Sequence, residues 1–174
     1  STTVIYNQYL RHPIISTAEV DFLRAEAYQQ GWANGDAKEA FIDGVVNSTK
    51  YYFDCNAASE STYGFTGTEP AESDVRAFAE ALWNKATNKL EVIIEQKWLN
   101  FGFLQPSQAW NEVRRTGYPV LYFPTDATAQ VLKNVPNRVR YPSSERNNNA
   151  TNYNNAVQKM GGTDDAYIKL FWAK

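Results

Sequence analysis

Cysteine and histidine are almost missing from this chain of 174 residues, which has one of each, Cys55 and His12. One cysteine makes no intrachain disulfide and no Cys-based zinc site, and any Ser or Cys triad would have to use the one imidazole. A surplus of positive charge is missing too. Lys and Arg number 17 against 19 Asp and Glu, a formal charge of −2, so nothing marks the chain as an electrostatic binder of nucleic acid. No apolar run approaches the ~20 residues of a membrane helix. The start, Ser1-Thr2-Thr3-Val4, lacks the charged head and apolar stretch of a signal peptide. Walker, GxGxxG, HExxH, EF-hand and GxSxG motifs are absent, and no catalytic residue, metal ligand set or cofactor site is read from the sequence.

Aromatic residues are what the chain does have, with 5 Trp, 11 Tyr and 9 Phe. Trp and Tyr keep a polar tip, which suits both wet interfaces and stacking surfaces. Their placement follows the helical pattern. Ser16 with Glu19 has capping-box spacing, and Val20, Leu23 and Ala27 repeat at i, i+3, i+7, which predicts a buried stripe ending near Gly31. Phe22 and Tyr28 then fall on other faces, so an uncovered apolar surface is expected beside this helix. Asp36 with Glu39 repeats the cap, and Phe41, Val45, Ser48 and Tyr52 share a face until about Phe53. The short link makes the two helices an antiparallel hairpin.

Asn56 to Pro70 reads as a loop whose bulky residues, Tyr63 and Phe65, have no periodic face to bury them, so both are expected exposed. With Trp32, in the turn Trp32-Ala33-Asn34-Gly35, they are the candidate ligand-binding residues. Val75, Phe78, Ala79 and Leu82, then Leu90, Ile94 and Trp98, restart helical spacing. Pro106 suits a first turn, Ala109, Trp110 and Val113 follow, and Gly117 sits where a left-handed cap would end that helix. Trp98 and Trp110 are expected in the core. Beyond Tyr118 the pattern gives way to Pro119, Pro124, Pro136 and Pro142, with one short helix from Thr151 to Lys159. The expectation is a mainly α fold, tetratricopeptide-like hairpins with long loops and an irregular Pro-rich last third, forming a single unit over residues 1–174.

Several residues carry two readings. Arg114 and Arg115 could grip an anion bidentately or bond carbonyls near a helix end. The Tyr51-Tyr52-Phe53 cluster is either a sugar-stacking surface or the end of the hairpin's packing, with Tyr52 assigned to the core. Glu69 with Glu72 and Asp164 with Asp165 are neighbouring acids of the kind most proteins carry.

Taken together, Ala18 to Tyr28 followed by Gly31-Trp32 and Gly35-Asp36-Ala37 resembles the helix pair of the SusD/RagB-like nutrient-binding outer-membrane lipoproteins. Four further motifs follow in that family's order: Ile94-Glu95-Gln96-Lys97-Trp98; Ala109-Trp110-Asn111-Glu112 with Arg114-Arg115-Thr116-Gly117-Tyr118-Pro119; Arg140-Tyr141-Pro142 with Glu145; and Leu170-Phe171-Trp172. The resemblance implies a non-catalytic protein that holds a glycan or other nutrient. It also implies the extracellular face of the outer membrane and a SusC-like TonB-dependent transporter as partner. Anchorage would be through a lipidated segment absent from this chain, which has no lipobox and so resembles the C-terminal fragment of a longer protein. Trp98, Trp110, Arg114, Arg115, Tyr141 and Pro142 would be scaffold. The rival readings are a tetratricopeptide-type protein–protein adaptor and a glycoside hydrolase fragment, the latter needing two carboxylates ~5–10 Å apart in a cleft.

Overall fold

A computed structural model describes residues 3–59, 66–123 and 134–171. Tyr63 and Phe65 lie outside them. The described residues form seven helices and no strand: α1 (Thr17–Gln29), α2 (Ala37–Ala57), α3 (Glu72–Lys85), α4 (Lys89–Phe101), α5 (Pro106–Thr116), α6 (Ser143–Asn148) and α7 (Ala150–Lys159). They divide into two compact units, Ser1–Glu112 and Val113–Lys174.

In the first unit, Ser16 and Asp36 cap α1 and α2 as their spacing implies, accepting from the amides of Glu19 (3.1 Å) and Glu39 (3.0 Å). Asn88 does the same for α4 through Glu91, at 3.3 Å. The first two helices are antiparallel, since their contacts run in opposite directions along the chain. Asp21 accepts from Asn47 at 2.7 Å, Phe22 meets Gly44, and Tyr28 lies against Gly35.

The buried stripe of α1 is not the one expected. Ala18, Phe22 and Ala25 are buried, whereas Val20 and Leu23 are 43% and 45% exposed. Tyr28 is half-buried. Both stripes have helical spacing, and Gly44 decides between them. A Cβ built on Gly44 would stand 2.7 Å from the Phe22 ring, so α2 has given up a side chain where the ring enters. The apolar surface expected around Phe22 and Tyr28 therefore carries Val20 and Leu23 instead. Phe41 continues the core, with its ring 6.2 Å from Phe22 and 5.4 Å from Trp83. On α3, Val75 and Ala79 are buried but Phe78 is exposed, contrary to its helical spacing. Arg76 instead ties α3 to α2 through Asp43 (3.0 Å) and Glu39.

Trp98 and Trp110 are half-buried rather than core. The deepest places on α4 go to Ile93, Ile94, Phe101 and Lys97. Lys97 is 2% exposed, and its ammonium lies 3.3 Å from Glu112 and 3.8 Å from Glu26. A triad of this kind joins α1, α4 and α5, and leaving any member unpaired would be costly.

In the second unit Gly117 ends α5 as anticipated, at φ +79° with its amide donating to Val113 at 2.9 Å. The described residues 118–123 and 134–142 form no helix, and then come α6, which the Pro-rich pattern did not announce, and α7. Arg138 organises this unit. It is buried, donates to Asp164 at 2.5 Å, and its guanidinium lies 4.9 Å from the centre of the Tyr141 ring. Tyr141 also meets Tyr153 edge-on at 5.9 Å, and its amide donates to Asp164 at 3.2 Å.

Candidate functional site

Position along α2 sets the candidate site. Asn47, Lys50, Tyr51 and Asp54 recur at three- and four-residue spacing, so they share a polar face beside the buried one that carries Phe41 and Val45. The segment before α1 crosses this face and is pinned there. Asn7, itself buried, donates to the Thr3 carbonyl (3.0 Å) and to the Cys55 carbonyl (2.7 Å), and accepts from the Tyr9 amide (2.9 Å). The Cys55 carbonyl is one of the last four of α2, which have no partner within the helix, so Asn7 serves as a cap delivered from another segment. Thr3 adds a bond to Asn56 at 2.9 Å, and Tyr51 donates to the Arg11 carbonyl at 2.8 Å.

Two adjoining cavities of about 400 and 320 Å3 result, and they share Arg11, Tyr51 and Asp54. His12 and the first turn of α1 line one, and Tyr9 and Cys55 line the other. Burial, helped by the neighbouring Cys55 thiol, holds the Tyr51 phenol above its ordinary value, so it stays a proton donor. Lys50 pairs with Asp54 at 3.1 Å, and that hydrogen bond holds the ammonium above its usual value. Asp54 is the one carboxylate among the described residues of the cleft. An aromatic wall with donors and an acceptor at its rim suits a polar, ring-shaped ligand.

Trp32 is 70% exposed but stands in the turn after α1, about 20 Å of helix rise away from the cleft. Tyr52 is half-buried rather than core and donates to the Asn100 carbonyl at 2.8 Å, with its ring centre 5.3 Å from that of Tyr51, which lines the cleft. Of the two readings of Arg114, the structure shows the carbonyl bond, to Asn137 at 2.9 Å, and burial lowers its pKa. Arg115 is exposed. Pro142 is the N-cap residue of α6. Arg11, Asp54 and Tyr9 were not singled out in the sequence. Lys50 and Asp54 at i, i+4 beside Tyr51 were the legible sign.

A helical hairpin of this kind, with further helices packed on it, is a tetratricopeptide-like scaffold. The SusD-like family, described as SusD and RagB outer membrane lipoproteins, has a sequence model that matches residues 2–173, and the chain belongs to this family. A comparison with curated proteins finds no match. Solved structures do match. One described as a chitin-binding protein is 32% identical with a TM-score of 0.73, the match covering 91% of this chain and 32% of that one. A SusD homolog from Bacteroides fragilis is 29% identical with a TM-score of 0.71, over 90% and 34%. A chitin-binding SusD homolog from Flavobacterium johnsoniae is 28% identical with a TM-score of 0.61, over 90% and 36%. The chain thus spans about a third of the length of the structures it matches.

Proposed function

We propose that this chain belongs to a non-catalytic glycan-binding component of an outer-membrane nutrient-uptake complex, and that the Arg11–Tyr51–Asp54 cleft is one of its glycan contacts. The whole protein would stand on the extracellular face of the outer membrane, anchored by a lipid on a part outside these 174 residues. It would deliver its ligand to a SusC-like TonB-dependent transporter, with this chain as its C-terminal portion. The carrying observation is the cleft itself, an aromatic wall with a carboxylate and a guanidinium at its rim, in a chain of the SusD-like family. The chitin-binding relatives favour a sugar over other nutrients. A tyrosine face covers the CH groups of a pyranose while the rim groups take its hydroxyls, and a ring with two side-chain torsions loses little entropy in doing so. Hydrolysis by paired carboxylates needs two acids at the bond, and Asp54 has no second carboxylate beside it among the described cleft residues.

The test is a calorimetric titration of the chain with a chitin hexasaccharide. Binding that is lost in a Tyr9→Ala, Tyr51→Ala double variant is the expected result. Binding unchanged in the double variant, or no binding at millimolar concentration by this sugar or by acidic and neutral galactose-based oligomers, would overturn the assignment of the cleft.

A further inference from the structure

Resting on the reading of the cleft as a glycan site, we infer that it selects sugars bearing an acidic group, a carboxylate or a sulfate, and that Arg11 reads the acid. The charges of the cleft carry the inference. The charged side chains that line it are Arg11, Lys50 and Asp54, and Lys50 and Asp54 pair at 3.1 Å. Among the described residues nothing pairs with the Arg11 guanidinium, and it borders both cavities. Glu69 also acts on Lys50 from nearby, so that ammonium is answered by carboxylates, and Arg11 is the cation of the cleft left for a ligand.

Position matters as much as sign. The Tyr51 hydroxyl holds the Arg11 carbonyl at 2.8 Å, so the backbone that carries the guanidinium is fixed beside the aromatic wall while the guanidinium itself stays available. A pyranose lying against the Tyr51 ring projects its ring substituents sideways, towards that rim. A planar guanidinium with five donors matches the two oxygens of a carboxylate or of a sulfate, which a point-charge ammonium matches less well. Asp54 meanwhile has one oxygen engaged by Lys50, which reduces what it offers to neutral hydroxyls.

The experiment uses pairs of ligands that differ in charge alone, titrated against the whole chain. A galacturonate oligomer is compared with its methyl ester, and a sulfated galactan oligomer with its desulfated form. At low salt at least one acidic member should bind about tenfold or more tighter than its neutral twin, and the pair showing the preference identifies carboxylate or sulfate as the acid. That preference should shrink as salt is added. In Arg11→Ala the ratio of acid to neutral affinity should fall towards one, and in Arg11→Lys it should lie between. Equal affinities within both pairs, or a preference that survives Arg11→Ala, overturn the inference while leaving the cleft a glycan site. If the chitin hexasaccharide and all four oligomers fail to bind, the cleft reading falls and this inference with it.

Discussion

The two units of this chain are held together by different terms. In residues 1–112 the most buried side chains are mainly apolar, Phe22, Phe41, Ile93, Ile94 and Phe101, with Lys97 the exception. In residues 113–174 Val113 and Val157 are the buried apolar side chains among those described, and the most connected buried residue is Arg138. Apolar burial is non-directional and accumulates with area, so it survives small errors of placement. A buried ion pair does not behave that way. It roughly breaks even when complete and costs several kcal/mol when one partner is removed, so the second unit depends on all the partners of Arg138 being present together.

The largest expected effect tests the apolar side. Phe22→Ala should destabilise the first unit by about 3–5 kcal/mol, because the ring is fully buried against Phe41 and Gly44 and the site has little means of collapse. Thermal melting followed by near-ultraviolet dichroism would show it as a fall on the order of 15 °C. A fall of only a degree or two would mean that Gly44 is not the socket of that ring.

Arg138→Ala tests the polar side and should cost the second unit about 2–3 kcal/mol by leaving the half-buried Asp164 without its cation, read as lost protection of the amides of residues 137 and 138, which donate to the Ala166 carbonyl. Asp164 gives the same contrast through pH. Burial alone would raise its pKa, but the hydrogen bond and charge of Arg138, with the Tyr141 amide and the Tyr153 hydroxyl, hold it below the ordinary carboxylate range. A carboxyl depressed in the folded state contributes stability that is present above its unfolded pKa of about 3.9 and is lost as pH falls through the folded value. Protection in the second unit should therefore fade below about pH 4, and Asp164→Asn should remove that acid limb. An acid limb that is unchanged in the variant would assign the effect to other carboxylates.

The same contrast explains what could be read in advance. Helix starts were legible because Ser16 and Asp36 act on amides three residues away, and a local rule needs no tertiary knowledge. Helix faces were less so. Val20, Leu23 and Ala27 satisfy the spacing as well as Ala18, Phe22 and Ala25 do, and the deciding fact sits on another helix, at Gly44. The cleft was the least legible part. It arises where Asn7 and Arg11 bond residues 48 and 40 positions further on, Cys55 at 2.7 Å and the Tyr51 hydroxyl at 2.8 Å, and no periodicity marks either contact. The Arg138 cluster hid for the same reason, with Asp164 lying 26 residues beyond.

The smallest expected effect uses that local rule to sharpen the comparison, because caps act on a helix whatever core it belongs to. Asp36 accepts from the Glu39 amide at 3.0 Å, and Asp36→Ala should cost about 1 kcal/mol by leaving that amide with water as its partner. Ala71 offers the converse. It occupies the N-cap of α3 with extended backbone at φ −60°, ψ 143°, and has no side chain to reach the first-turn amides. A serine there needs no backbone change, and its hydroxyl can take the Ser73 amide or share the Asp74 amide, which already donates to the Ala71 carbonyl at 2.9 Å, so Ala71→Ser should stabilise by roughly 0.5 kcal/mol. The two substitutions should move the denaturation midpoint of the first unit in opposite directions with an unchanged slope against denaturant, since neither alters the surface exposed on unfolding. If both variants shift the midpoint the same way, α3 is not held by its N-terminus. Its place would then rest on Arg76, which reaches Asp43 at 3.0 Å, and on the buried face of Val75 and Ala79.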